Sequence, residues 1–220
     1  MASTILCPSR GRIRLDRQSF VAAGGEGDIH VHAGSAYKIY RDPAKALTEA
    51  KLRELAQIDD PDVIVPEEIV LAGGRPVGYR MRFVADAVPL SRLLTRAYRQ
   101  RHGLSPDRIA ALVGALRERI ASAHRAGCLV VDASEQNFVC DADHRTVMAL
   151  DTDSYQTPSF AATALTPSVA DPRIVASGFD EVVVRRYLAL SAGDLGDVDV
   201  GDFAALHRDH AVGLAVVHEQ

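Results

Sequence analysis

The chain has 220 residues, of which 25 are basic and 29 are acidic, so its formal net charge is −4. A composition of 47% hydrophobic and 25% charged residues is typical of a soluble globular protein, and the acidic balance disfavours nucleic-acid binding, which needs a basic face. Three cysteines without a C-x-x-C spacing indicate neither a disulfide framework nor a zinc finger. Because the sequence has neither an apolar run of roughly 20 residues nor the apolar core of a signal peptide, we expect a cytoplasmic protein that does not associate with membranes.

The first 86 residues are predicted to be rich in strands. The five strands expected lie around residues 13–21 and over 28–32, 36–40, 67–72 and 77–84. The second and third of these alternate apolar and polar residues on either side of Gly34-Ser35, which is typical of a hairpin. A helix is expected after Pro43, because the leucines that follow it fall on one stripe.

Residues 87–220 are predicted to be mainly helical. A short basic helix is expected over 89–101 and a long helix over 105–126, where Ser105-Pro106 supplies the cap and the first turn. Two short strands follow over 138–140 and 146–150, and a further apolar helix is expected from Asp209. Strands followed by helices indicate an α+β fold with two lobes, residues 1–86 and 87–220, and not the alternating order of a parallel sheet.

A glycine cluster, Gly24-Gly25-Glu26-Gly27, lies between two of the predicted strands. Glycines let backbone N–H groups approach phosphate oxygens without a Cβ in the way, although a glycine-rich hairpin turn has the same pattern. No Gly-Lys-Ser/Thr follows the cluster, and the next element is a strand and not a helix. These two features exclude a P-loop and a dinucleotide-binding loop.

Lys38 lies in the middle of the third predicted strand, on the face that it shares with Ala36 and Tyr40. A solvated strand lysine is one interpretation. A functional lysine would need an acidic partner to orient it, and the following helix offers Glu49 or Glu54.

A third pattern joins Asp132 and Asn137, which follow the long predicted helix, with Asp151 at the end of the last predicted strand. Pairing of the two short strands would place Asn137 beside Asp151. An amide oxygen and a carboxylate are hard ligands that suit Mg²⁺, and Asp132 could accept a proton from an attacking hydroxyl or orient it. Loop-capping residues are the alternative interpretation, but three of them in this arrangement favour a functional site.

Together these residues resemble the protein kinase-like superfamily, whose members carry a Gly-rich loop, a strand lysine in A-x-K, a helix glutamate, a D-x-x-x-x-N loop and a metal-binding Asp-Phe-Gly. The chain looks most similar to an atypical group of bacterial Ser/Thr protein kinases with a G-G-E-G loop and an I-D-T-D-S-F-Q string, which here reads Leu150-Asp-Thr-Asp-Ser-Tyr-Gln156. The resemblance implies a two-lobed fold with a five-stranded antiparallel N-lobe and a mainly helical C-lobe. It also implies ATP and Mg²⁺ as cofactors.

The resemblance further implies a role for each matching residue. The nucleotide would contact Gly24, Gly25, Gly27, Ile29, Ala36, Lys38 and Val139, with the backbone of residues 81–85 at the purine edge. Asp132 would face the substrate hydroxyl, and Lys38 would hold the α- and β-phosphates and pair with Glu49. Asn137 and Asp151 would hold Mg²⁺.

The resemblance leaves the acceptor and the catalytic competence open. A protein hydroxyl is expected as the phospho-acceptor, with a small-molecule acceptor and a pseudokinase that binds a nucleotide or a partner as alternatives. Ala22 stands at the first loop glycine, Ser134 stands where kinases commonly have a lysine, and no docking motif is recognisable over 157–202. Because the helix from Asp209 resembles only the start of the bracing helix of kinases, we expect a truncated C-lobe, covered by the 157–202 segment or by a partner chain.

Overall fold

The computed structural model describes residues 3–162. Its strands are β1 (Ser3–Cys7), β2 (Gly11–Leu15), β3 (Phe20–Ala23), β4 (Gly27–His32), β5 (Ser35–Tyr40), β6 (Pro66–Ala72), β7 (Arg75–Arg82), β8 (Val88–Pro89), β9 (Phe138–Cys140) and β10 (Val147–Ala149). Its helices are α1 (Glu49–Leu55), α2 (Leu90–Leu93), α3 (Arg96–Arg101) and α4 (Pro106–Arg125), with 3-10 turns at Pro43–Lys45 and Thr152–Ser154. The predicted helix from Asp209 and most of the 157–202 segment lie outside the described residues.

The first seven strands form one antiparallel sheet in the order β2-β1-β6-β7-β5-β4-β3. The predicted hairpin is confirmed, since β4 pairs with β5 along its length, from Gly27 opposite Tyr40 to His32 opposite Ser35. Strand β7 lies on the other side of β5 and places Tyr79 opposite Lys38. The functional lysine of the sequence prediction therefore lies on an inner strand, with neighbours on both sides.

The prediction of five strands for this sheet was wrong, because the sheet has seven. The region predicted as one strand around residues 13–21 is divided between β2 and β3, and β1 was not predicted at all. Ile5 and Cys7 are buried in β1 while their neighbours are exposed, and they form a small second core with residues of β2, β5 and β6. A strand of five residues with only two buried positions is too short to be recognised from its pattern alone, without knowledge of the strands that pack beside it.

The long predicted helix is confirmed as α4. Ser105 caps it by accepting a hydrogen bond from the backbone N–H of Arg108 at 3.2 Å, and Gly127 follows it with a φ of +74°. The predicted helix over 89–101 is instead divided into α2 and α3. The hydroxyl of Thr95 accepts a hydrogen bond from the N–H of Tyr98 at 3.3 Å and so starts a new helix in the middle of the predicted one.

One hydrophobic core joins the sheet to the helices and to the small sheet β10-β9-β8. It includes Leu55 of α1, Tyr79 of β7, Leu116 of α4 and Val147 of β10, and α4 packs directly on β10. Burial of each aliphatic side chain of this kind stabilises the fold by about 1.5–3 kcal/mol. The described residues form an α+β fold, in which this core holds the end of β10 next to the middle of β5.

No helix within residues 3–162 combines the length and the apolar character that a bilayer crossing requires.

Candidate functional site

Lys38 is the centre of the candidate site. Its side chain leaves β5 on the core side, and the residue is only 4% exposed. The ammonium donates hydrogen bonds to Asp151 and to both carboxylate oxygens of Asp153, at 3.0 Å and 2.9 Å. A buried lysine retains its charge only where carboxylates compensate for the lost water, and here two of them do so.

Asp153 is enclosed on all sides by hydrogen-bond donors. Besides Lys38, the hydroxyl of Tyr79 donates to its Oδ1 at 2.7 Å and the hydroxyl of Tyr40 donates to its Oδ2 at 2.5 Å. The Lys38 ammonium also lies 5.4 Å from the centre of the Tyr40 ring. Because both carboxylate oxygens are satisfied by fixed donors, the Lys38–Asp153 pair has a single well-defined geometry.

The charges of the site shift the pKa values of its groups in opposite directions. Burial lowers the pKa of Lys38, but the charges of Asp153 and Asp151 outweigh it and raise that pKa above its ordinary value. Burial raises the pKa of Asp153, but the Lys38 ammonium outweighs it and lowers that pKa. Burial and the neighbouring charge of Asp153 raise the pKa of Asp151 to about 6. The site thus holds two carboxylates and one ammonium, and Asp151 is the less stabilised of the two acids.

The backbone after β10 explains why both acids reach the same lysine. Asp151 has a left-handed conformation with a φ of +57°, and the 3-10 turn Thr152–Ser154 begins directly after it. Thr152 is buried and points away from the lysine, where its hydroxyl donates to the carbonyl of Ile64 at 3.0 Å. Residues 151 and 153 are therefore left on the side of Lys38.

Asp132 and Asn137 are brought together by the loop that precedes β9. The amide nitrogen of Asn137 donates to the backbone carbonyl of Asp132 at 3.0 Å and to its carboxylate at 2.8 Å. The predicted pairing of the two short strands is confirmed, with Phe138 opposite Ala149 and a backbone hydrogen bond from Leu150 to Asn137 at 2.7 Å. Asn137 and Asp151 therefore leave adjacent strand ends.

The side chains at these strand ends fit the implied magnesium ion by the chemistry of their donors. The amide nitrogen of Asn137 is committed to Asp132, so its amide oxygen points away from that carboxylate. Within residues 3–162, no cluster of three or more His, Cys, Asp or Glu side chains forms a separate metal site. Mg²⁺ commonly takes only one or two protein oxygens and completes its shell with phosphate and water. Asn137 and Asp151 have side-chain oxygens of the kind that such a site uses.

The predicted nucleotide contacts lie on the glycine turn, on β4 and β5 of the seven-stranded sheet, and on β9. The glycine cluster forms the turn between β3 and β4, closed by a backbone hydrogen bond from Gly24 to Gly27 at 2.8 Å. A Cβ on Gly27 would lie 2.5 Å from the carbonyl oxygen of Ile39, so no side chain fits there, whereas the position of Gly25 is open. The three predicted adenine contacts share the main core, with Ala36 and Val139 buried in it and Ile29 packed against it.

Glu49 is not brought to Lys38. It is exposed at the first turn of α1, and within the described residues the ion-pair partners of Lys38 are Glu26, Asp151 and Asp153. The alternative, Glu54, accepts a hydrogen bond from the backbone of Ser159 at 3.1 Å instead. The helix places both carboxylates away from the lysine.

Asp153 is the residue of this site that sequence reasoning missed. Part of a signal for it exists in the sequence, since Tyr40 lies on the strand face of Lys38. The position of Tyr79 opposite that lysine follows only from the register of the sheet. Two buried phenols beside a buried lysine require an acceptor, and the second acid of the Asp-Thr-Asp string provides it.

Comparisons with known proteins find relatives over part of the chain. No protein-family model matches the chain. Curated relatives include "Protein kinase YegI" of Escherichia coli O157:H7 and its counterpart of the same name in E. coli K12, each 28% identical over 144 residues. The match covers 60% of this chain, and the chain spans only 22% of the length of each relative. These similarities support a kinase-like relationship.

Proposed function

We propose that the chain is an ATP-dependent phosphotransferase of the protein kinase-like type, with residues 1–86 and 87–220 as its two lobes and a protein hydroxyl as its acceptor. The observation that carries this proposal is the ion pair between Lys38 in the sheet and Asp151 after β10, which are 113 residues apart in the chain. Phosphoryl transfer depends on a lysine and a metal-binding acid that meet at the phosphates. The similarity to relatives named as protein kinases supports the same reaction class.

In this proposal, the nucleotide contacts the seven-stranded sheet and strand β9. Lys38 donates to the α- and β-phosphates, and the backbone N–H groups of the glycine turn approach the phosphate oxygens, as the open position of Gly25 allows. Ile29, Ala36 and Val139 provide apolar contacts for the adenine. Burial of Lys38 strengthens its interaction with phosphate, because water screens charges less there than at the surface.

The loop side of the site orients the acceptor. Asn137 and Asp151 would hold Mg²⁺, which when bound would supply positive charge to the phosphate oxygens. Asp132 receives or orients the proton of the attacking hydroxyl, and the amide of Asn137 fixes its carboxylate by the hydrogen bond at 2.8 Å. The residues thus act by positioning and by electrostatics, without a covalent intermediate on the protein.

Transfer of the labelled γ-phosphate by the full chain, beside its Asp132→Asn variant, tests this proposal. We expect the variant to transfer phosphate at least about 100-fold more slowly, because general-base and orienting groups contribute about 10²–10⁴-fold. Its affinity for ATP should change by less than about twofold, since Asp132 faces the acceptor and not the nucleotide. Asp143→Asn is the matched control, because Asp143 is an exposed aspartate in the turn between β9 and β10.

Two outcomes would overturn the proposal in different ways. Transfer by Asp132→Asn at the wild-type rate would contradict the assigned mechanism. Thermal stabilisation by ATP and Mg²⁺ without any transfer would instead identify a nucleotide-binding module, since a ligand that binds the folded state raises its stability. Assays with a generic protein substrate and with small hydroxyl compounds distinguish the two acceptor classes.

A further inference from the structure

Asp153 has the geometry of a group that orients Lys38. Its side chain is 3% exposed, and both of its oxygens lie within 3.0 Å of the Lys38 ammonium. Each oxygen also accepts a hydrogen bond from a buried phenol, from Tyr79 at Oδ1 and from Tyr40 at Oδ2. Because two buried phenols hold this carboxylate independently of the lysine, it determines where the ammonium lies.

The other acids near Lys38 are less suited to this task. The Glu26 carboxylate lies 4.0 Å from the ammonium and its side chain is 39% exposed, so that ion pair is long and screened by water. Asp151 is 34% exposed and lies where Asn137 supplies a second oxygen ligand for a metal ion. A lysine held by Asp151 alone would lose its orientation whenever a cation occupied that carboxylate.

Helix α1 contacts this part of the site through a cation and not through an acid. Lys51 is half-buried in α1, and its ammonium donates to the backbone carbonyl of Asp153 at 2.6 Å. The helix thereby holds the backbone of the Asp153 turn, while Glu49 remains exposed at the start of the helix. The side chain that approaches from the helix has the same sign as Lys38 and is unable to pair with it.

We infer that Asp153 is the positioning residue of Lys38, in the role that the resemblance assigns to the helix glutamate. The inference rests on the proposed function. Asp153 keeps the ammonium in place through both of its oxygens, so that Asp151 is available to the metal ion. The orientation of the lysine then depends on the same turn that carries the metal ligand, and helix α1 contributes through the backbone contact of Lys51.

Substitution of Asp153 by asparagine tests this inference. The variant keeps the shape and one acceptor oxygen but loses the charge that faces Lys38. We expect kcat for phosphate transfer to fall at least about 10-fold, with a smaller change in the KM for ATP. A second readout is independent of activity: acylation of Lys38 by an amine-reactive reagent, followed by mass spectrometry, should become at least about threefold faster, because the amine is no longer held. Asp143→Asn is again the matched control.

The outcomes separate this inference from the proposed function. If the wild-type chain transfers no phosphate, the proposed function fails, while the labelling of Lys38 still tests the role of Asp153. If a folded Asp153→Asn protein changes neither kcat nor the labelling of Lys38, the inference is overturned. An effect of Glu49→Gln on both quantities would then return the role to the helix glutamate.

A second variant covers the case in which Asp153→Asn does not fold. Tyr40→Phe retains the Asp153 charge but removes one of the two phenol donors that fix it. We expect a fall in kcat of about threefold and a measurable increase in Lys38 labelling. Unchanged values of both quantities in a folded Tyr40→Phe protein would overturn the inference.

Discussion

Gly78 provides a stringent test of the sheet that carries Lys38. It lies in β7 opposite Ile39 of β5, directly before Tyr79, which is paired with Lys38. A Cβ at position 78 would lie 1.9 Å from the carbonyl oxygen of Lys38 and 3.0 Å from its carbonyl carbon. Ordinary contacts of a Cβ begin at 3.4 Å, so Gly78→Ala requires a separation of the two strands by 3.4 − 1.9 = 1.5 Å.

The cost of this change follows from what has to move. Extra atoms in a packed interior cost about 1–3 kcal/mol, and the upper end applies here because the obstacle is backbone, which has no other rotamer. Loss of one ladder hydrogen bond between β5 and β7 adds about 1 kcal/mol. We therefore expect Gly78→Ala to lower the free energy of unfolding by about 3–4 kcal/mol, a large part of the 5–15 kcal/mol typical of a domain.

Urea unfolding followed by far-UV circular dichroism measures this effect, since the chain has no tryptophan to serve as a fluorescence probe. Gly114→Ala is the matched control. Gly114 lies within α4, and a Cβ there meets no atom within 4 Å. Alanine is favoured over glycine inside a helix by about 1 kcal/mol, so the control should be more stable than the wild type. A Gly78→Ala protein with the urea midpoint of the wild type would refute the reasoning and the strand register on which it is based.

Two further predictions concern groups outside the site. Burial raises the pKa of Glu68, but hydrogen bonds from Cys7, Ser9 and Arg80 outweigh it and lower that pKa to about 2. A lowered pKa in the folded state stabilises the protein above the unfolded pKa of 4.5, and this contribution disappears as the pH falls towards 2. Glu68→Gln should therefore lower the free energy of unfolding by about 2–3 kcal/mol at pH 7 and by almost nothing near pH 2. Urea unfolding across that pH range measures this difference. A loss of stability that is independent of pH would contradict the assignment. Burial raises the pKa of the Cys128 thiol to about 11 and that of the Cys140 thiol to about 12. A thiol reagent at pH 8 should therefore label both cysteines only after unfolding. Rapid labelling of the native protein would contradict their burial.

Much of the local structure follows from short patterns in the sequence. The stripe of α4 from Ile109 to Ile120 repeats every three or four residues and has a cap and a terminating glycine, so its prediction needed no knowledge of the partner elements. The hairpin of β4 and β5 and the pairing of β9 with β10 are also local, because each joins strands that are near in the chain. The arrangement of Asn137 beside the end of β10 follows from that second pairing.

Short sequence patterns predicted neither the seven-stranded sheet nor the acidic partner of Lys38. Strand β1 pairs with β6, about 60 residues away, and its two buried side chains become apolar core only when that partner is present. The exposed position of Glu49 depends on how α1 is rotated against the sheet. The sequence of the helix alone does not determine that rotation. Sequence spacing gave two glutamates as candidates, and the packing of the helix presents neither of them to Lys38.

The sequence by itself determined helix α4, the hairpin of β4 and β5, the pairing of β9 with β10 and the chemical types of the candidate site, because these depend on periodicity and on residues close in the chain. Only the tertiary structure decided which acid holds Lys38. The choice between Glu49, Glu54 and Asp153 depends on how α1 and the turn after β10 pack against β5, and Asp153 is 115 residues from Lys38 in the chain. It is settled by burial: a charge removed from water requires partners fixed on every side, and Asp153 is the acid around which the fold places them.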